Sequence, residues 1–487
     1  MRIIIVGGGT AGWMTAAYLS KNLPRTRVTV IDKEHGTPIG VGEGTVLDFF
    51  GFMRDCGFEF NDWFTNIDAT FKAGILFSNW QKEGSKIWHP FFANLHLNHL
   101  SMDIWEVLAY KNNLDYKDYA CMLYDSAVNH NLVDLHETGI YSFHVDAGKL
   151  VTYIQNRCAS SIEVIKKEVV TVNKNINGEI TSLELIDCSI ESADLYVDCT
   201  GFQSILKKQK KVEIDNRLFC NTAIAGRVNF QNYEQEVRPY VICDAVEHGW
   251  IWQIPTQSRI GSGLVFNRDV TDIDLAKDFL CKYWNGRLKK ENLKVIDWTP
   301  YYIENFWEKN IVSIGLSAGF VEPLESTGIS LIIKGAVELE NRLRLGLVLE
   351  NDKTLYNTII KNYFENVIDF VNMHYSNSTN TGIFWDYVRA KFQPSPTQKF
   401  IEKIINDYNF RYSISRKFDP NSFTMFQVPN WICLMVQYGF QLVNDGNKDI
   451  QYSAELALEK FYKDEQVRKY RCTPHTNLIE YYKNNGQ

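Results

Sequence analysis

The sequence lacks several patterns that would assign it to a particular class of protein. Its ten cysteines form no C-x-x-C pair and show no metal-site spacing, which predicts reduced thiols, no bound metal and a cytoplasmic location. The apolar N-terminus gives way to glycines after the length of one strand, so we expect neither a signal peptide nor a membrane segment. No linker rich in proline, glycine or serine and no internal repeat interrupts the chain, which predicts one compact body.

The charge pattern excludes nucleic acid as an expected partner. The net charge is −7, with acidic and basic residues mixed throughout the 487-residue chain. The longest basic cluster, KKQKK at 207–211, is typical of a solvated loop. Because 45% of the residues are hydrophobic, the chain can bury a sizeable core.

A strand, a glycine-rich turn, a helix and a second strand are predicted in succession at the N-terminus. The turn carries Gly7, Gly9 and Gly12 in the spacing G-x-G-x-x-G, and Asp32 ends the second strand. Glycines let a backbone approach a pyrophosphate, a helix start favours its negative charge, and an acid about twenty residues on can bind a ribose hydroxyl. The pattern predicts a dinucleotide site.

Two later segments favour FAD over NAD as the dinucleotide. IGVGEGT at 39–45 is a second glycine-rich loop, and DLYVDCTG at 194–201 is an apolar strand that would run down to the cofactor. An enzyme that reduces its own flavin with NAD(P)H often has a second G-x-G-x-x-G, and only one is evident here. We therefore expect a separate flavin reductase to supply reduced FAD.

The remaining segments predict a mixed α/β fold. Short strands are expected over 160–201 and 240–270, and apolar spacing predicts a helix from 329 onward. We expect a Rossmann-like βαβ core for FAD, an added β-sheet and a mainly helical C-terminal part, packed as one unit. The predicted division is an FAD-binding part over 1–335 and a helical part over 336–487.

The stretch GWIWQIP at 249–255 carries the most specific signal. Together with GGGTAGW, GVGEGT, FKAGILFSNW and GFVEPLESTGIS it resembles the flavin-dependent tryptophan halogenase family, in order from residue 2 to about 340. The match continues more loosely through PNWICLM and PHTNLIEYY. The resemblance implies that reduced FAD and oxygen convert a halide into hypohalous acid, which moves through an internal tunnel to an aromatic substrate. The first part would then also bind halide, and the helical part would cap the substrate.

The resemblance gives the two tryptophans of this stretch a role. Trp250 and Trp252 lie two residues apart, so on a strand both face the same side. In the family such a pair lies near the flavin, beside the tunnel. Two large rings there would keep the substrate from the flavin and exclude water.

The resemblance also implies further site residues. The family's flavin contacts fall on Gly8, Thr10, Ala11, Val41, Gly44, Leu316 and Ile329. Its halide site falls on the backbone of Thr327 and Gly328, where amides at a helix start can bind an anion. Glu325 matches the family's acid, which orients the electrophile or takes the proton lost from the ring.

One position departs from the family pattern. We place the family's lysine in FKAGILFSNW at Leu76, as part of the tunnel, and losing a positioned proton donor costs roughly 10²–10⁴-fold in rate. Three interpretations follow. Lys72 could substitute, although on one strand face it would lie about 13 Å from Leu76; the enzyme could use bromide or iodide, which are oxidised more easily than chloride; or the protein no longer halogenates. We favour the second interpretation.

The substrate side is predicted from aromatic clusters that match the family's substrate pocket. Trp88, His89, Phe91 and Trp431 are candidates for contact with a flat ring, and the expected substrate is an indole or phenol. A flavin aromatic hydroxylase and a non-catalytic FAD-binding protein are the alternatives. A homo-oligomer is a further possibility that the sequence leaves open.

Overall fold

The structure, a computed structural model, covers most of the chain. It describes residues 1–33, 42–90, 96–97, 102–103, 124–134, 141–208, 210–214, 216–344, 346, 348–415, 424–444 and 446–485. Val41 and Phe91, two of the predicted site residues, lie outside the described residues.

The predicted βαβ unit is confirmed. Strand Arg2–Val6 pairs in parallel with Arg27–Ile31, and helix Thr10–Asn22 connects them. Its apolar runs are buried, as expected for parallel strands covered on both faces. In spatial order, the six strands of this sheet are Glu163–Ile165, Arg27–Ile31, Arg2–Val6, Leu195–Asp198, Ile311–Ser313 and Trp307–Glu308.

A second sheet of seven strands carries the tryptophan pair. Strand Gly249–Pro255 lies inside it, and Trp250 and Trp252 project from one face, with ring centroids 6.3 Å apart. In spatial order, its strands are Lys294–Asp297, Thr222–Val228, Ile260–Phe266, Gly249–Pro255, Val241–Val246, Gly74–Ser78 and Lys86–Pro90.

The chain changes sheets at Ala73, which corrects one prediction. Strand Thr70–Lys72 pairs with Ser142–Val145, whereas Gly74–Ser78 belongs to the seven-stranded sheet. The N–H of Ala73 donates to the Pro239 carbonyl at 2.7 Å between the two strands. Lys72 and Leu76 therefore do not share one face of one strand.

Smaller sheets surround these two. Glu43–Gly44, Ser142–Val145 and Thr70–Lys72 form one sheet. The others consist of Val169–Lys174 with Ile180–Leu185 and Ile190–Glu191; Lys211–Glu213 with Tyr301–Ile303 and Gly319–Phe320; Cys472–Pro474 with Leu132–Asp134; and His96–Leu97 with Met102–Asp103.

The C-terminal part is mainly helical, as predicted. The boundary expected at 335–336 falls inside helix Gly328–Leu343, so it is not a linker. The other helices of the described residues are Asp48–Asp55, Phe60–Asn66, Ala147–Cys158, Tyr233–Glu236, Ile273–Tyr283, Glu350–Asn377, Ile383–Lys391, Pro396–Asn406, Tyr408–Ser415, Val428–Gln437, Lys448–Arg471 and His475–Asn485. A π-helix lies at Tyr124–Asn129, and 3-10 turns lie at Gly201–Gln203, Lys290–Asn292, Gly315–Ser317 and Pro323–Glu325.

The two predicted parts share one hydrophobic core. One cluster of buried side chains extends from Ile3 in the first strand to Tyr482 in the last helix. Within the described residues, no helix is both long and apolar enough to cross a membrane. The prediction of one compact body is confirmed.

Candidate active site

The glycine turn at the start of the first helix forms a cradle for a nucleotide. Gly7 has φ +109°, and a Cβ at Gly12 would lie 1.8 Å from the Gly7 carbonyl oxygen. A Cβ at Gly8 would lie 2.0 Å from Asp32 Oδ2, whereas one at Gly9 would meet no described residue within 4 Å. The packed positions bring the Asp32 carboxylate against the turn, and the open position leaves room for a phosphate group.

The residues around this turn fit FAD. Helix Thr10–Asn22 starts without a side-chain cap at Gly9, so its first amides face the cradle. The Gly315 turn, which carries Leu316, packs on the same helix start, since a Cβ at Gly315 would lie 2.5 Å from Ala11 Cβ. The structure thus brings Thr10, Ala11 and Leu316 together, as the family resemblance implies.

The predicted halide residues lie at another helix start. Ser326 has φ +59°, and Thr327 precedes helix Gly328–Leu343 without a side-chain cap. Thr327 Oγ1 is buried and has no hydrogen-bond partner in the described part of the chain, and a Cβ at Gly328 would meet nothing within 4 Å. Free amides and an unpartnered hydroxyl can bind an anion there. Ile329 follows in the first turn of this helix.

Lys72 reaches the space between the glycine-rich loop and this turn. Its side chain is fully buried, and Nζ donates to the Thr45 carbonyl at 3.0 Å. A Cβ at Gly44 would lie 3.0 Å from Lys72 Nζ and 2.5 Å from Ser326 Oγ, so both groups converge on this glycine. Burial lowers the pKa of Lys72 to about 7, against the opposing effects of Glu325 and Cys243.

Leu76 points away from this site, on the opposite sheet face from the tryptophan pair. Side chains alternate along a strand, and the next residue, Phe77, stacks on His374 with ring centroids 4.3 Å apart. Leu76 pairs in register with Trp88 and Ile242 on the other face. Leu76 is therefore not part of a tunnel beside the tryptophan pair, and the lysine at the site is Lys72.

Two histidines clamp the carboxylate of Glu325. His374 Nε2 lies 2.6 Å from Oε1, and His89 Nδ1 lies 2.9 Å from Oε2. All three side chains are buried. Burial alone raises the pKa of Glu325, but His89 and the hydrogen bonds from both imidazoles outweigh it and lower the pKa to about 2. Glu325 is thus ionised at neutral pH.

The ionised carboxylate fixes the tautomer of His374. Burial lowers the pKa of His374 below its usual value, so the ring is neutral near pH 7. Its one N–H is assigned to Nε2, which faces Glu325. Nδ1 must then accept, and the Tyr438 hydroxyl lies 3.0 Å away as its donor.

The tryptophan pair is anchored to helix Glu350–Asn377 by a hydrogen bond. Trp250 Nε1 donates to the Tyr375 hydroxyl at 2.8 Å. Trp252 packs over Gly263, where a Cβ would lie 2.1 Å from a carbon of the indole ring. Cys243 pairs with Trp252 in register and with Phe77 on its other side, which places the pair on the face that contacts His374.

Aromatic rings extend from Glu325 towards the C-terminal helices. His89 lies 5.4 Å from Phe370, which stacks on Phe426 at 3.9 Å and meets Trp431 edge-on at 5.1 Å. The structure therefore brings the predicted substrate residues His89 and Trp431 to one cluster. Trp88 faces the opposite side of its strand, against Tyr124 and Tyr240.

Several residues of this site were missed from the sequence. His374 and Tyr375 lie in helix Glu350–Asn377, Phe426 lies just before helix Val428–Gln437 and Tyr438 directly after it; no motif singled them out. A signal did exist for Glu322, because the motif GFVEPLESTG contains two acids and only Glu325 was chosen.

Known proteins are similar to this chain in sequence and in architecture. The family model described as tryptophan halogenase matches residues 2–448. Tryptophan 6-halogenase ThaL of Streptomyces albogriseolus is 29% identical over 411 residues, covering 77% of this chain and 76% of ThaL. Tryptophan 7-halogenase RebH of Lentzea aerocolonigenes is 28% identical over 423 residues, covering 79% and 78%.

Solved structures show the same fold over the whole chain. Xcc4156, a flavin-dependent halogenase from Xanthomonas campestris, has a TM-score of 0.88 at 26% identity and covers 99% of this chain and 98% of its own. A tryptophan halogenase from Shewanella frigidimarina has a TM-score of 0.90 at 24% identity, covering 100% and 98%, and supports the fold.

The fold, the cradle and these relatives define the class of protein as a flavin-dependent halogenase, an oxidoreductase-type enzyme. The chain belongs to the tryptophan halogenase family. This confirms the resemblance read from its motifs, and it implies FAD as the cofactor.

Proposed function

We propose that this protein halogenates an electron-rich aromatic compound, an indole or a phenol, through hypohalous acid made from oxygen and a halide. When bound, reduced FAD would provide the chemistry that activates oxygen. The observation that carries the proposal is the placement of Lys72, whose ammonium group lies by Ser326 and Gly44 and interacts with the charge of Glu325. A positioned amine and a carboxylate thus stand on the face that also carries the tryptophan pair.

The FAD cradle would be formed by the glycine turn, Asp32 and the helix start that follows it. Thr327 and Gly328 would hold the halide through backbone N–H groups at the second helix start. Both helix starts favour a negative charge, which suits a pyrophosphate at one and a halide ion at the other. Trp250 and Trp252 would separate the flavin from the substrate and exclude water.

Lys72 would bind the hypohalous acid or take up its halogen. With a pKa of about 7, its side chain is available both as an ammonium and as an amine near neutral pH. The ammonium can donate a hydrogen bond to hypohalous acid. Alternatively, the amine can take the halogen, forming an N–halogen bond and releasing water. Either route delivers the halogen beside Glu325.

Glu325 would act on the substrate ring. Addition of the halogen leaves a cationic ring that must lose a proton, and such a ring is a strong enough acid to protonate a carboxylate with a low pKa. The clamp by His89 and His374 keeps both carboxylate oxygens fixed and the group charged. Glu325 would therefore stabilise the cationic ring and accept its proton.

The expected preference for bromide or iodide loses its basis. It depended on the absence of a lysine at Leu76, and we propose Lys72, whose Nζ lies near Gly44 and Ser326, as the lysine of the site. Chloride thus belongs among the halides that the enzyme is expected to use. The non-catalytic alternative also loses its main support. The hydroxylase alternative is opposed by the buried tryptophan pair.

Three accompanying predictions remain proposals. A separate flavin reductase would supply reduced FAD, since one nucleotide fingerprint is evident. A homo-oligomeric state and a cytoplasmic location are retained from the sequence. The relatives ThaL and RebH are named as tryptophan halogenases, and this supports an indole as the first class of substrate to test.

The test is a product assay with each halide. Purified protein is given FAD, a flavin reductase, oxygen, catalase and chloride, bromide or iodide, with a panel of indoles and phenols, and products are identified by mass spectrometry. We expect halogenated product only when the protein is present, and we expect its amount to fall strongly in Glu325→Gln. If no halide yields product, the proposal is wrong; hydroxylated product without halide would establish the alternative.

A further inference from the structure

Glu322 is a second buried acid, three residues before Glu325 in the same motif. Its side chain has no exposed surface. One carboxyl oxygen, Oε1, accepts a hydrogen bond from the Tyr375 hydroxyl. The other, Oε2, is buried and has no partner among the residues that the structure describes. A charged carboxylate in this position would lack a compensating partner, which is costly in a protein interior.

The two acids of the motif are in opposite states. Burial raises the pKa of Glu322 to about 8, whereas the histidine clamp lowers that of Glu325 to about 2. At pH 7 one is therefore an uncharged acid and the other a carboxylate. Environments that separate the pKa values of neighbouring acids commonly mark two different functions.

Tyr375 connects Glu322 to the tryptophan pair. Its hydroxyl has one hydrogen, which it donates to Glu322, and its oxygen accepts the N–H of Trp250 at 2.8 Å. Cys220 Sγ lies 3.3 Å from the same hydroxyl. The hydrogen-bond chain thus runs from the indole of Trp250 through Tyr375 to the acid, and it fixes the direction of each donor.

The groups around Glu322 do not compensate a negative charge. Its titratable neighbours are Tyr375, Cys220 and Cys243, and burial raises the pKa of each well above its usual value. All three are therefore uncharged near pH 8. Hydrogen bonds from Tyr375, Cys220 and Trp250 favour the charged form of the carboxyl group, but burial outweighs them. Ionised Glu322 would have to draw water to its second oxygen, Oε2.

We propose that Glu322 is a positioning residue: as an uncharged acid it holds the Trp250 indole in place through Tyr375 and so keeps the tryptophan wall closed. This inference rests on the proposed function, in which that wall separates the flavin from the substrate. Loss of the proton leaves a charge on the buried Oε2, which has no partner among the described residues, and this charge draws water to the wall. Less halogen then reaches the substrate for each reduced FAD consumed.

The first experiment measures the protonation state of Glu322 in the flavin-free protein and does not depend on enzymatic activity. Infrared difference spectra between the flavin-free protein and Glu322→Gln should contain the carbonyl band of a protonated carboxylic acid at pH 7. The band should fade with a midpoint near pH 8. A spectrum at pH 7 that shows only a carboxylate would overturn the inference, whether or not the protein halogenates.

The second experiment measures coupling, the halogenated product formed for each reduced FAD consumed. With a pKa of about 8, roughly nine-tenths of Glu322 is protonated at pH 7 and roughly one-tenth at pH 9. Wild-type coupling should therefore fall several-fold over this range. Glu322→Gln keeps a carbonyl for Tyr375 and cannot ionise, so its coupling should lack this midpoint.

A further variant separates the effect of the hydrogen-bond chain from that of the acid itself. Tyr375→Phe retains Glu322 and removes the hydroxyl that bridges it to Trp250, so its coupling should be low at both pH values. Coupling in Glu322→Gln that falls with the same midpoint as the wild type would show that another group titrates, and would contradict the assigned role.

Discussion

A 2.6 Å hydrogen bond joins His374 Nε2 to Glu325 Oε1. It links the helix Glu350–Asn377 to the turn that precedes the proposed halide site. Together with His89 on the opposite oxygen, it keeps a fully buried carboxylate ionised. Two side chains on separate elements, His374 and His89, therefore maintain the negative charge of Glu325, near which we propose that the halogen is delivered.

Replacing His374 by phenylalanine should destabilise the protein. The variant leaves Glu325 Oε1 without its donor, and hydrogen bonds to charged groups contribute about 1.5–3 kcal/mol. Urea unfolding at pH 7 measures the loss. Tyr438→Phe removes only the outer hydroxyl of the chain and should cost about 1 kcal/mol. Equal losses in the two variants would contradict the clamp.

The same variant should change the acid stability of the protein. The folded-state pKa of Glu325, about 2, lies below its ordinary value, so its stabilisation is present above pH 4.5 and is lost as the pH falls towards 2. His374→Phe raises the folded pKa and should reduce this contribution. Unfolding curves between pH 2 and 6 that remain parallel in both proteins would argue against it.

Lys72 should make stability depend on pH in the alkaline range. Burial lowers its folded-state pKa to about 7, so between pH 7 and about 10.5 the unfolded chain binds the extra proton. The cost of burying the lysine is fully present below pH 7 and disappears as the pH rises. Relative to Lys72→Met, the wild type should gain stability from pH 7 to 10. If the difference in free energy of unfolding between the two proteins stays constant, the Lys72 amine is exposed to water.

Gly8→Ala should weaken FAD binding by at least about tenfold. A Cβ there would lie 2.0 Å from Asp32 Oδ2 and would displace the carboxylate proposed to bind the ribose, and tenfold corresponds to about 1.4 kcal/mol. Quenching of FAD fluorescence on binding gives the dissociation constant. Gly51→Ala, on helix Asp48–Asp55 with nothing within 4 Å of the added carbon, is the control. Equal affinity in Gly8→Ala and wild type would remove the proposed role of Asp32.

The sequence was sufficient for features that depend on local patterns. The glycine turn and the tryptophan alternation were predicted from short motifs, and the parallel pairing of the first two strands follows from buried apolar runs. These features depend on neighbouring residues and on the geometry of a strand or helix start.

The sequence was insufficient where distant segments meet. Glu325 and His374 lie 49 positions apart, and His89 lies 236 positions before Glu325, so nothing local indicates the clamp. The predicted relation between Lys72 and Leu76 was wrong for a local reason. It assumed one continuous strand, but the strand breaks at Ala73, and residues beyond the break face another way.

The most direct measurement is the rate of halogenation in Lys72→Met beside Leu76→Met. The account assigns the positioned amine to Lys72, so its loss should reduce product formation by roughly 10²–10⁴-fold while FAD still binds. Leu76→Met conserves volume on the opposite sheet face and should stay within about twofold of the wild type. Retained halogenation in Lys72→Met, or a comparable loss in Leu76→Met, would contradict the central claim.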